Sequence, residues 1–375
     1  MSLKLWLCAC SHFSYKFPLL RPEFSITNGR KSMSKSPDCY KKLMITINGR
    51  STGPTILAQE GDTVTVEVTN KLLSENLAIH WHGIRKIGTC WSDGTEGVTQ
   101  CPVVHGDTFK YEFKVERIGT SWSDGTEGVI QCPVAHGPSN MSSRLTGLEL
   151  ICTTHYGMLR ESGLYGSIRV SVPNNLTVTF AYDYDRSIIL TEQYHKSTYE
   201  QATRLSSIPF VWIGESQSLL IQGKGKFNCS SASLIADTCN TSNPEYSPYA
   251  ITVIPGKTYR LRVASLTALS TLSFQIEGHN RTVVEADGHY VEPFVVKNLF
   301  IYSGETYSVL IKADQDPSRN YWMTTNVVSR TPVNTSEGLG FNFSIIIQTI
   351  QGDLLQLFHQ LVLFGMTEHP DWFKV

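Results

Sequence analysis

Apolar and polar residues alternate along this chain in short runs far more often than they recur at helical spacing. "DTVTVEVTN" (62–70) and "TYRLRV" (258–263) have the period of a strand with one buried face. Similar runs are "LMITING", "TFKYEFKV", "GSIRVSV", "NLTVTFAY", "YAITV", "HNRTVVEAD" and "TYSVLIKAD", separated by Gly, Asp and Asn turns. This spacing predicts an all-β fold of antiparallel sandwiches. Helical periodicity is scarce before the last forty residues, where "NFSIIIQTIQGDLLQLFHQLVLFGM" has the spacing of an amphipathic helix. Gln348, Gln351, Asp353, Gln356 and Gln360 interrupt that stretch too often for a membrane span. A break at "VPNN" (172–175) separates two strand series. The expected organisation is an irregular leader at 1–36 holding a defective signal region, one domain at 37–173, a second at 174–335 and a helical tail at 336–375. The second domain is expected to be the more regular.

One segment occurs twice. "IGTCWSDGTEGVTQCPVVHG" at 87–106 returns as "IGTSWSDGTEGVIQCPVAHG" at 118–137, differing only at Cys90/Ser121, Thr99/Ile130 and Val104/Ala135. Solenoid repeats diverge more and come in three or more copies. A recent duplication within the first domain fits better, and 118–137 is expected to be an insertion.

"NLAIHWHGIRK" (76–86) brings candidate chemistry into this framework. In an extended chain His80 and His82 share one side and Trp81 faces the other. Two imidazoles on one face can hold one metal ion or two adjacent ones, and imidazole suits copper, zinc, iron or nickel. The competing reading is two polar residues on a solvent face.

A net charge of -1 gives no support to a nucleic-acid or acidic-membrane partner. Nine cysteines without a C-x-x-C zinc signature favour disulfides in an oxidising compartment, and an odd count leaves one thiol unpaired. N-x-S/T triplets begin at Asn140, Asn175, Asn228, Asn240, Asn280, Asn334 and Asn342 and point the same way, to secretion. The opening "MSLKLWLCAC" is a poor signal peptide, because "SHFSYKF" ends its apolar run early.

"INGRSTGPTILAQEGDTVTVEVTNKL", "IHWHGI", "WSDGT…QCPV" and "HYGMLRESGLYGSIRV" resemble the first cupredoxin domain of multicopper oxidases, in their ascorbate-oxidising plant branch. "PFVWIGESQSLLIQGKGKFNCS" and "YRLRVASLTALSTLSFQIEGHNRTVVEADGHYVEPF" resemble the second. The resemblance covers roughly residues 37 to 335 and implies two Greek-key, cupredoxin-like β-sandwiches. It also implies copper, a small-molecule reductant (ascorbate), dioxygen and a homodimer in the cell wall or apoplast. By this match His80 would serve a type 2 copper and His82 one of the type 3 pair, while His155 takes the place of the second histidine of the family's other pair in this domain. The family's second histidine pair reads "CTTHYGM" here, so Thr153 stands where an imidazole is expected. After residue 335 there is neither H-x-x-H-x-H nor H-C-H, the motifs that carry the type 1 site and the rest of the cluster.

The same comparison sorts other residues. Trp212 would lie beside a substrate pocket in the family, with core or interface packing as the plainer reading. Cys229 and Cys239 would pair, Cys39 would lack its usual partner, Cys101 and its duplicate Cys132 would have none, and Cys152 has no counterpart. His105 and His136 read as surface turns, His279 and His289 as structural or exposed. Asp93 and Asp124 make Asp-Gly turns and are not metal ligands. Two functions therefore compete: an ascorbate-oxidase-type enzyme, inactive as these 375 residues, and a non-catalytic secreted cupredoxin-like protein that binds copper weakly or not at all.

Overall fold

In the computed structural model, residues 19–20, 23–28, 36–84, 86–115, 149–153, 157–173, 178–227, 229, 239, 248–328 and 345–349 are described. The first sandwich contains β1 (Leu19–Leu20), β2 (Glu23–Asn28), β3 (Ile45–Ile47), β4 (Ile56–Gln59), β5 (Thr63–Lys71), β6 (His80–His82), β7 (Thr108–Lys114), β8 (Glu149–Thr153) and β9 (Tyr165–Ser171). One sheet sets β7 and β2 against β5, with β3 beyond β2. The facing sheet has the order β4-β9-β8-β6. Alternation sets the burial: Val64, Val66 and Val68 of β5 are fully buried against Trp81, Tyr111, Phe113 and Ile168.

The second sandwich contains β10 (Tyr184–Gln193), α1 (Thr198–Leu205), β11 (Ser218–Ile221), β12 (Ile251–Val253), β13 (Thr258–Ser265), β14 (Leu272–Ile276), β15 (Arg281–Ala286), β16 (His289–Val296), β17 (Leu299–Ile301), β18 (Thr306–Lys312), β19 (Trp322–Val327) and β20 (Ile345–Thr349). Its sheets run β11-β10-β13-β18-β15-β16 and β12-β20-β19-β14-β17. Leu261, Val263, Phe274, Val283 and Val309 fill the space between them.

Four expectations need correction. The leader is not wholly irregular, because β1 and β2 pair in parallel with β5. The tail is not helical at 345–349, where "IIIQT" enters a sheet between β12 and β19. Branched side chains at Ile345–Ile347 favour an extended chain, and two neighbouring strands offer partners for it. "NLTVTFAY" is not a strand in its described part: Phe180 and Tyr182 leave the ladder and lie 5.2 and 5.7 Å from the Arg260 guanidinium. The helix α1 was not expected. Ser197 caps it by accepting from the Glu200 amide, in the pattern of a helix start.

Residues 36–40 tie the sandwiches together. The buried Asp38 carboxylate accepts from His195 Nε2 at 2.7 Å and from the Ser218 hydroxyl. Tyr165 of the first sandwich packs against Ile189, Ala264 and Leu266 of the second. Among the described residues no helix is long and apolar enough to cross a membrane. The duplicate 118–137 lies outside the described residues.

Candidate metal centre

Trp81 fixes the strand that carries the two histidines. Its indole is fully buried, 5.4 Å from the Tyr111 ring and 4.9 Å from Phe113. Each such aromatic pair adds about 0.5–1.5 kcal/mol beyond burial. With Trp81 held inward, His80 and His82 must face away from that core. Their ring centroids lie 5.8 Å apart at an interplanar angle of 72°. Gly83, at φ 82°, turns the chain directly afterwards.

A distant loop orients His80. Its Nδ1 donates to the Asp93 backbone carbonyl at 2.9 Å, with the Asp93 carboxylate 3.4 Å away. With the proton on Nδ1, Nε2 is the nitrogen that carries the lone pair, the form in which imidazole binds a metal. This loop is the first copy of the duplicated segment, and Gly94 lets it approach: a Cβ there would fall 1.9 Å from the Ile79 carbonyl oxygen. Asp93 is thus the residue that orients His80. Sequence reasoning read it as a turn residue and not a metal ligand; its place in "WSDGT" was visible, its contact was not.

Burial, with the charges of His80 and Arg160, lowers the His82 pKa from 6.5 to about 4, although the residue as a whole is exposed. The imidazole is therefore neutral, the form a metal binds, across the physiological range. The backbone of Gly304, in the turn between β17 and β18, faces the same ring and opposes part of that shift.

The strand β8 runs antiparallel to β6, with Thr153 opposite His80 and Ile151 opposite His82. Directly opposed residues share a face of the sheet, so position 153 is where a cross-strand ligand would stand. His155 lies outside the described residues, as do His136, Asp124 and Cys132. Among the described residues no three His, Cys, Asp or Glu side chains are grouped to hold a metal ion. His80 and His82 fit the imidazole part of a copper site.

The remaining candidates lie elsewhere. His105 binds the Leu72 carbonyl through Nδ1 at 2.5 Å, and His279 and His289 bind the carbonyls of Glu277 and Asp287. Trp212 is 49% exposed, which excludes core packing; Phe210 is its ring neighbour at 6.5 Å. Cys229 and Cys239 form a disulfide with Cα atoms 5.8 Å apart. Cys39, Cys90 and Cys101 are free thiols, Cys39 buried and Cys101 exposed.

Comparison with known proteins adds an independent line. Two sequence profiles, each described as multicopper oxidase, match residues 30–123 and 185–346. An L-ascorbate oxidase of Nicotiana tabacum is 46% identical over 309 residues, covering 81% of this chain and 48% of its own. Laccase-2 of Oryza sativa subsp. japonica is 31% identical, covering 79% of this chain and 45% of its own. The crystal structure of a laccase from Botrytis aclada superposes with a TM-score of 0.67 at 26% identity, over 90% of this chain and 53% of the laccase. The chain thus spans about half the length of the relatives it matches. With one profile on each sandwich and a paired-histidine strand where the first profile matches, this chain belongs to the multicopper oxidase family.

Proposed function

We propose that this chain forms the first two cupredoxin-like domains of an ascorbate-oxidase-type enzyme, which oxidises ascorbate and reduces dioxygen to water. The observation that carries this reading is the His80–Asp93 contact, which presets one imidazole for metal on a strand whose second imidazole is neutral. Relatives named L-ascorbate oxidase support the substrate.

His80 and His82 would hold copper, with His155 as the third donor implied by the family resemblance. Copper would supply one-electron redox chemistry, so that four single-electron oxidations of ascorbate match one dioxygen and two waters. The chain's own part is to orient: Trp81 anchors the strand, Asp93 holds the His80 proton on Nδ1, and the Gly304 turn bounds the His82 ring. Secretion to the cell wall or apoplast and assembly as a homodimer belong to the same reading. The Cys229–Cys239 disulfide supports the compartment.

These 375 residues expressed by themselves are expected to bind copper weakly and not to turn over. Thr153 stands opposite His80, a hydroxyl is a poor copper ligand, and the sequence offers no H-C-H for a blue copper–thiolate site. That points to the second reading, a non-catalytic cupredoxin-like protein, for the isolated chain. Oxygen-electrode assays on copper-loaded protein test it. Ascorbate-dependent oxygen uptake at about 1–10³ per second, lost in His80→Ala, would overturn the inactivity; absence of any copper bound through His80 would overturn the site.

A further inference from the structure

The connection that carries the chain from β14 in one sheet to β15 in the facing sheet holds a motif that the copper chemistry does not use. Asn280, Arg281 and Thr282 form an N-x-T triplet. Asn280 is exposed beside the turn at Glu277–Gly278, and its side-chain amide makes no hydrogen bond among the described residues. Thr282 is the second residue of β15 and only partly covered, while Arg281 between them is buried. In this extended stretch Asn280 and Thr282 therefore share one face, with the amide and the hydroxyl both directed away from the core.

We propose that Asn280 is an N-glycosylation site, and that its glycan lies over the outer face of the second sandwich. Thr282 is in register with Val295 on one side and Leu310 on the other. Val295 is 63% exposed and Leu310 partly so, which leaves an apolar strip beside the acceptor. A hydrated oligosaccharide at this connection would screen that strip from contact with other molecules. The donor class is a lipid-diphosphate-linked oligosaccharide. The amide nitrogen forms a bond to the sugar C1 as the C1–O–phosphate bond breaks, the lipid diphosphate departs and the nitrogen loses one proton. No redox partner is needed. The disulfide between Cys229 and Cys239 supports passage of the second sandwich through the oxidising compartments where such transfer occurs, as the proposed function has it. The other six triplets begin outside the described residues, so Asn280 is the acceptor whose folded setting is known.

The test is to translate the full chain, behind a cleavable secretion signal, with microsomal vesicles, and to map the peptide containing Asn280 by mass spectrometry. Most translocated molecules should carry hexosamine at Asn280, and amidase release in heavy-oxygen water should leave labelled aspartate there. Asn280→Gln and Thr282→Ala should lose this modification, and Thr282→Ser should keep it. An unmodified Asn280 peptide in translocated, disulfide-bonded chain would overturn the proposal. The unsubstituted protein decides the matter even if a variant fails to fold.

Discussion

His80 in the first sandwich and His279 and His289 in the second make the same kind of hydrogen bond, each from Nδ1 to a backbone carbonyl. What differs is where the acceptor comes from. For His279 and His289 it lies two residues back in the same turn, at Glu277 and Asp287. Such bonds finish a turn and use the ring as a local cap. For His80 the acceptor is Asp93, thirteen residues on, in a loop that Gly94 presses against the back of the strand. His80 also has a second imidazole beside it, whereas His279 has the ring of Tyr321 at 5.0 Å. The two settings therefore differ in the orienting contact from a distant segment and in the neighbouring imidazole, not in the hydrogen bond itself.

The comparison breaks most directly at the ligands. His80→Ala is expected to lower copper affinity by about 100-fold or more, roughly 2.7 kcal/mol, whereas His279→Ala and His289→Ala leave it unchanged. Copper titration followed by calorimetry checks this, and equal losses in all three variants would remove the distinction.

Gly94→Ala comes next. The residue sits at φ 92° and its Cβ would meet the Ile79 carbonyl, so the loop must withdraw from β6. A cost of about 1–3 kcal/mol in stability is expected from the backbone alone. Copper affinity should fall a further 10- to 100-fold, the usual effect of losing a residue that orients a ligand. Urea unfolding and metal titration of one preparation separate the two effects.

Thr153→His sharpens the comparison by adding a donor. The register sets this position opposite His80, so copper affinity should rise about tenfold, roughly 1.4 kcal/mol. A spin-resonance spectrum with an additional nitrogen coupling would report it; an unchanged spectrum would mean that β8 does not present residue 153 to the site.

An effect of similar size, on stability and not on copper, concerns the core behind the histidines. Lys86 is buried, with its Nζ 4.5 Å from the centroid of Phe113 and no hydrogen-bond acceptor among the described residues. Burial lowers its pKa from 10.5 to about 7, against a smaller opposing pull from Asp93. The unfolded chain therefore holds more protons than the folded one between pH 7 and 10.5, so this residue makes stability rise with pH across that window. Lys86→Met should flatten the rise and stabilise the protein at pH 7 by about 1–2 kcal/mol, on the scale of an unsatisfied buried polar group. Denaturant midpoints at pH 6.5 and 10 measure both.

Much of the frame was legible beforehand because strand alternation is local. "TVTVEV" and "TYRLRV" became β5 and β13, and the shared face of His80 and His82 followed from their spacing of two. The errors occurred where the outcome depended on partners. "IIIQT" has apolar residues that suit either a helix or a strand, and open places beside β12 and β19 decided between them. "NLTVTFAY" alternates well, yet Phe180 and Tyr182 found a guanidinium instead of a ladder. Trp212 could be read as core only while the exposure of its loop was unknown.

The sequence alone determined the strand period and the pairing of two histidines on one face. These rest on residue identity and on steps of one or two residues along the chain. Tertiary structure alone decided that Thr153 stands opposite His80, that the Asp93 carbonyl holds the His80 proton on Nδ1, and that residues 23–28 and 345–349 complete sheets. Strand register and loop docking depend on contacts between segments far apart in the chain, and a period read within one segment carries no information about its neighbour.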